Sequence, residues 1–241
     1  MPSADYDHIA EWYDEQVRAG TLIHSLVLPA LFGLIGEVAG QHICDLACGQ
    51  GIVTRQLAQR GANVVGVDRS ERLLAIARQE HTSAPQAILY QNDDAQQGQT
   101  LADASFDGAV CNMALMDIPD LTATFRTVHR ILRPQGWFVF SITHPYVQMP
   151  DSAWNQRADG TIIRESGNYF AEGFWMPAPG SGVRGRVGAQ HRTLSTYCNS
   201  LTRAGFQIQA ISEPRASGDL EQRFPGYRSL PAALVVYCLK A

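Results

Sequence analysis

Short apolar runs alternate along this chain with segments whose apolar residues return at helical spacing. Ile43-Cys44-Asp45-Leu46 is such a run, and it ends in Ala47-Cys48-Gly49-Gln50-Gly51. Val53, Leu57 and Ala58 follow on one helical face, and Gly61 stops that helix as glycine does just past a C-terminus. Asn63–Asp68 is β-branched and closes on an acid. Ser70 is placed to cap a helix that buries Leu73, Leu74, Ile76 and Ala77. Strands are expected over 87–91 and 106–112. Pro119 opens an amphipathic helix with Leu121, Phe125, Val128, Ile131 and Leu132 on its face, and a fifth strand runs over 137–143. This alternation predicts an α/β fold, a doubly wound parallel sheet with helices on both faces.

The flanks read differently. Residues 5–20 predict a helix with Ile9, Trp12, Tyr13 and Val17 near one face, and 22–39 a second, bent at Pro29 and closed by Gly40. Residues 144–190 break the rhythm with glycine, proline and aromatics, and Thr161–Arg164 with Tyr169-Phe170 could form a hairpin. A segment of this kind is expected to be a lid or binding loop. A helix over 194–204, a strand over 206–211, a polar loop and a last strand over 233–239 follow. That loop is too irregular for a helix, so the last strand should run antiparallel. The expected division is one domain: a helical cap (1–40), a binding core (41–143), a lid (144–190) and a C-terminal part (191–241).

Composition narrows the possibilities. With 241 residues, 45% hydrophobic and 17% charged, the chain can build one large core. A net charge of −4 without a basic run of five argues against long nucleic acid as partner. The polar, acidic start and the lack of a spanning apolar run predict no signal peptide and no membrane partner. Five cysteines without a C-x-x-C pair read as reduced core residues of a cytoplasmic protein. A metal site is not expected.

The chemistry concentrates around the first strand. Gly49 and Gly51 permit a left-handed turn and close approach of a ligand. The helix after them points free N–H groups at the turn, a site for a carboxylate or phosphate. Asp68, closing the second strand, can accept from both ribose hydroxyls, with Arg69 beside it. The third glycine of a dinucleotide fingerprint is missing, and Asp45 would repel a pyrophosphate but suit an amino group.

Asp45-Leu46-Ala47-Cys48-Gly49-Gln50-Gly51 resembles the first motif of class I S-adenosylmethionine-dependent methyltransferases, in their small-molecule branch, with Ala47 where glycine is commonest. Asp94-Ala95 followed by Asp103-Ala104-Ser105-Phe106-Asp107 is similar to a second signature of that family. Leu132-Arg133-Pro134-Gln135-Gly136 is similar to a third, with Gln135 at a usual glycine. The resemblance implies a Rossmann-like sheet of seven strands, mostly parallel with an antiparallel last strand. It covers roughly 40–143 with specific motifs. It further implies S-adenosylmethionine as cofactor, with Asp94 reaching the adenine amino group and Ala95 admitting the ring. The N-terminal helices would cap the site, where Tyr13 either contacts cofactor or only packs. Asn112 and Met113 end the fourth strand at the carboxyl edge, where ligands of such folds bind.

The reaction expected is methyl transfer to a small organic molecule. A nicotinamide-dependent reductase would share the sheet and Asp68 but not Asp45 or Asp94-Ala95, and a non-catalytic cofactor-binding protein is a third reading. Tyr146, Tyr169 and Trp175 of the lid are expected to contact the acceptor. His144 and His191 flank the lid and suit proton removal by their ordinary pKa.

Overall fold

The computed structural model describes residues 4–80 and 88–241. A single 3-10 turn at Asp7–Ile9 leads into α1 (Ala10–Arg18) and α2 (Leu22–Ile35). The core follows as β1 (His42–Leu46), α3 (Ile52–Gln59), β2 (Asn63–Asp68), α4 (Glu71–Glu80), β3 (Ile88–Asn92), β4 (Phe106–Asn112), α5 (Leu121–Ile131) and β5 (Leu132–Thr143). Beyond it come β6 (Ala153–Gln156), β7 (Ile162–Glu165), β8 (Gly173–Trp175), α6 (Arg184–Val187) and β9 (Ala189–His191). The chain ends with α7 (Leu194–Arg203), β10 (Phe206–Ser212), α8 (Asp219–Arg223) and β11 (Ala233–Lys240).

Seven strands form one sheet in the order β10-β11-β5-β4-β1-β2-β3. β1 pairs in parallel with β2 on one side and β4 on the other, so the winding reverses there and opens a crevice at the carboxyl ends of β1 and β4. β11 inserts between β10 and β5, antiparallel to both, as the sequence predicts for the last strand. Two apolar layers clamp the sheet. Phe125, Val128 and Leu201 pack on Phe138, Phe140 and Phe206 on one face, and Val27, Leu31 and Leu57 on Ile43, Val64 and Val139 on the other. Each such fully buried side chain contributes about 1.5–3 kcal/mol. Among the described residues no helix is long and apolar enough to cross a membrane.

Several element boundaries differ from the expectation. α2 ends at Ile35, where Gly36 turns left-handed (φ 70°), so Gly40 lies beyond the helix that it was expected to close. α5 begins after Asp120, whose carboxylate accepts from the Ala123 N–H (2.8 Å); Pro119 precedes the cap, and Leu132 already belongs to β5. Ser70 caps α4 as expected, its Oγ accepting from Leu73 N (3.1 Å). Ala87 of the expected third strand lies outside the described residues.

The hairpin of the 144–190 segment is a correction. Ile162–Glu165 pairs with Ala153–Gln156, and Tyr169-Phe170 forms a turn instead. Trp154 explains the choice: it packs edge-on against Tyr227 (5.1 Å) with the Arg164 guanidinium over its ring (5.1 Å). Arg164 is the cross-strand partner of Trp154, but Tyr227 is distant in sequence, so local pattern cannot reveal it.

Gln135 occupies a left-handed backbone position (φ 62°) in the exposed stretch of β5 where its register against β4 shifts. An L-residue with a Cβ is strained there by roughly 1–2 kcal/mol, partly offset by the chain entropy that glycine would lose. Gln135→Gly is therefore expected to raise the melting temperature by a degree or two, read by calorimetry. An unchanged or lower value would mean that this stretch of β5 carries no such strain.

Candidate functional site

A cavity of about 700 Å³ opens at the carboxyl edge of the sheet. A second, of about 310 Å³, adjoins it and shares Tyr13, Ala47, Gly49 and Asn112 as lining. Nine residues singled out in the sequence meet on the first cavity: Tyr13, Ala47, Gly49, Asp68, Arg69, Asp94, Ala95, Asn112 and Met113. Asp45 lines the second. Gly51 lines neither. It is the N-cap of α3 at φ 81°, and a Cβ there would run into the Tyr90 hydroxyl, so its glycine serves the turn itself.

The turn after β1 is tightly wound. Ala47 and Gly49 are left-handed (φ 53° and 55°), so Ala47 takes the conformation of the glycine it replaces. Asp68 holds this turn in place. Its Oδ2 accepts from Gly49 N and its Oδ1 from Ser70 N, each at 2.8 Å. Burial pushes its carboxyl up, opposed by those two N–H groups. Asp45, 1% exposed, accepts the Thr54 hydroxyl at 2.6 Å. Burial pushes its carboxyl up to about 7, with Thr54 opposing and the nearby Asp68 charge adding. Asp94 accepts from Gln96 N (2.9 Å) and from the Gln96 amide on both oxygens (3.0 Å each). At the end of β4, Met113 is left-handed (φ 57°), held by its N–H to the Ser141 carbonyl and hydroxyl oxygens (3.0 Å each). Ser141 donates in turn to Asn112 Oδ1 (2.7 Å).

The far wall was missed in the sequence. Tyr6 and Asp117 line the first cavity, and the Tyr6 hydroxyl donates to Asp117 Oδ2 (3.2 Å). Arg184 of α6 forms an ion pair with Asp117, the two side chains only 10% and 11% exposed. Burial by itself would lower the guanidinium's pKa, and the Asp117 carboxylate outweighs it and raises it. Burial raises both phenols, Tyr6 well above its usual range and Tyr13 to about 12, so both stay neutral. The rings of Tyr6 and Tyr13 meet edge to face at 5.1 Å. An acid shortly past a strand's carboxyl end was a usable signal for Asp117. Arg184 had none, because its partner is 67 residues away.

The lid residues do not gather at this cleft. His144 and His191 line neither cavity. His144 accepts from Tyr146 N at Nδ1 (3.2 Å) and pairs with Glu213 through Nε2 (2.9 Å), so both ring nitrogens are engaged; burial lowers its pKa. His191 directs Nε2 to the Tyr169 carbonyl (2.8 Å). Tyr146 bonds Ser166, and the Tyr169 hydroxyl accepts from Leu194 N, fastening the segment to α7. Trp175 lines a small space beside His191, away from the main cleft. None of these five residues lines either cavity, and the segment's hairpin docks on the C-terminal loop. Its link to the cleft lies further on. Besides Arg184, Gln190 N donates to Met116 O (2.7 Å), and the buried Arg192 donates to the carbonyls of Leu115, Ile118 and Pro119 (2.9, 2.6 and 2.8 Å).

Comparison with known proteins agrees with this geometry. Residues 44–140 match the model of a family described as a methyltransferase domain. A crystal structure of an S-adenosylmethionine-dependent methyltransferase from Mesorhizobium loti is 32% identical, with a TM-score of 0.78 over 91% of this chain and 100% of that one. A putative S-adenosylmethionine-dependent methyltransferase from Listeria monocytogenes is 26% identical, with a TM-score of 0.78 over 91% and 99%. A ubiquinone biosynthesis O-methyltransferase of Pseudomonas aeruginosa (strain UCBPP-PA14) is 36% identical over 56% of this chain. The match spans 62% of that relative's length.

Proposed function

The chain belongs to the S-adenosylmethionine-dependent methyltransferases, and on that footing we propose that it methylates a small organic acceptor admitted beside Tyr6, Tyr13 and Asp117. S-adenosylmethionine is the cofactor. The observation that carries the reading is the set of three acids spread along two contiguous cavities, each matched to a donor of that molecule. Asp45 would take the α-ammonium, Asp68 the ribose hydroxyls and Asp94 the adenine amino group. Asp45 fits this use: its carboxylate is buried and the Thr54 hydroxyl donates to one of its oxygens. Bound there, the cofactor supplies a sulfonium methyl that a nucleophile displaces in line.

The chain's own part is to orient the two molecules and keep water out. Asn112 lines both cavities, and Met113, Tyr6 and Asp117 line the first. The name of the P. aeruginosa relative favours a hydroxyl as acceptor group. Tyr6, Tyr13 and Asp117 offer oxygen acceptors for such a hydroxyl proton. The five cysteines are unpaired and four of them buried, which suits a reducing compartment, and we place the activity in the cytoplasm.

Thermal-shift titration tests the cofactor: S-adenosylhomocysteine should stabilise the protein and NAD(H) or NADP(H) should not. The reverse pattern would overturn the assignment. Formation of S-adenosylhomocysteine across a panel of phenols, alcohols and amines tests the transfer, and binding without turnover across all of them would leave a mere binding protein.

The Asp45 carboxyl adds a pH signature. A ligand ammonium favours its ionised form, so below about pH 7 binding must first expel a proton. Affinity for S-adenosylhomocysteine should then fall by up to about tenfold per pH unit between about 7 and 6, and stay level above. Asp45→Asn should bind more weakly at pH 8 and show a flat profile. A flat wild-type profile in titration calorimetry would remove the ammonium contact from Asp45.

A further inference from the structure

The second cavity contains a basic side chain that the reading above leaves without a task. His24, in the first turn of α2, lines it together with Asp45. Thr21 caps that helix: its Oγ1 accepts from His24 N (3.2 Å) and stands 2.7 Å from His24 Nδ1. The cap occupies Nδ1, which leaves Nε2 as the ring nitrogen for a ligand. When the Thr21 hydroxyl donates to Nδ1, Nε2 carries the proton and is a donor. Burial holds the imidazole below its usual range, so near neutral pH it acts as a neutral donor. The same small cavity thus offers a carboxylate acceptor in Asp45 and an N–H donor in His24. An amino-acid group, with one ammonium and one carboxylate, has the complementary pair.

Other lining groups also carry donors. Ser141 engages only the Oδ1 of Asn112, so the Asn112 amide N–H groups and those of Gln50, 4% exposed, are the rival side-chain donors, while the Tyr13 ring packs against Tyr6. His24 lies outside residues 44–140, so the motifs of the core do not provide it.

We propose that His24 binds the α-carboxylate of the cofactor's amino-acid end and makes the site select against derivatives that lack it. This rests on the cofactor assignment above. Titration calorimetry on the full chain tests it with two compounds, S-adenosylhomocysteine and decarboxylated S-adenosylhomocysteine, which differ by that carboxylate alone. The wild type should prefer the first by roughly tenfold or more, the range for a charge-assisted hydrogen bond. His24→Ala should lose that factor for S-adenosylhomocysteine and bind the decarboxylated compound as before, which also shows that it is folded. His24→Gln, which keeps an amide donor, should recover part of the preference. If the alanine variant does not fold, His24→Phe keeps the ring's bulk without its nitrogens and serves for the same comparison. A preference that survives without the imidazole assigns the carboxylate to Asn112, Gln50 or the α3 amides and overturns the proposal. Equal losses for both compounds overturn it too, because they mean that His24 only supports the fold. A wild type that binds neither compound refutes the cofactor assignment instead.

Discussion

Asp68→Ala should weaken S-adenosylhomocysteine binding by roughly 10- to 100-fold, the range for losing hydrogen bonds to a charged, buried group. Two losses combine. The proposed ribose hydroxyls lose their acceptor, and the turn loses its brace, since Gly49 N and Ser70 N both donate to this carboxylate. Asp68→Asn is not a mild alternative. One of its two positions becomes an NH₂ and meets a backbone N–H donor to donor, so it should bind little better than the alanine variant. Asp68→Glu keeps the charge but places it one methylene too far to serve both amides. Titration calorimetry reads the affinities, and thermal denaturation of the unliganded protein reads the turn. Affinity unchanged in Asp68→Ala would disprove the ribose assignment.

The second large effect is expected on stability. Arg184→Ala removes one partner of the buried pair with Asp117 and should cost about 3 kcal/mol or more, because a carboxylate remains in a desolvated wall. The change also frees the Gly188 carbonyl, to which Arg184 donates at 3.2 Å. Arg184→Lys retains charge without the planar fork and should recover only part. Replacing both partners by leucine should be far milder than either single truncation, since no lone charge is then buried. Urea denaturation gives all four values. A double variant as unstable as the single ones would show that the cost is the lost tie between α6 and the loop after β4 and not a charge left buried alone.

The 144–190 segment reaches the edge of the cleft through its last residues. Arg184, Gln190 and Arg192 fasten residues 184–192 to the loop over 115–119, and Ile9 and Val187 pack together beside Tyr6 and Tyr13. The N-terminal segment is fixed from the other side by Ser70, whose hydroxyl donates to Asp7 (2.6 Å). Asp7 therefore links the cap to the loop that follows Asp68, and the two ends of the cleft are braced through neighbouring residues.

The core motif was legible in the sequence because its chemistry is local. Gly49, Gly51 and Asp68 lie within one strand-turn-helix-strand unit, where backbone requirements and spacing follow from neighbours in the chain. The same holds for the alternation that predicted the sheet; the last strand is antiparallel as expected, although the connection before it, expected to be an irregular loop, carries the short α8. Tertiary structure alone decided the far wall of the cleft. The aromatics of 144–190 suggested a lid over the site, yet Trp154 found Tyr227 and Tyr169 found Leu194, while Tyr6 and Asp117 line the cleft and Arg184 pairs with Asp117. His144 was expected just after the fifth strand and His191 just before the helix at Leu194, and Glu213 and the Tyr169 carbonyl each took the Nε2 of one of them. Periodicity reports which face of an element is apolar, but not which distant element covers that face. A charge buried between segments 67 residues apart leaves no mark on either segment alone.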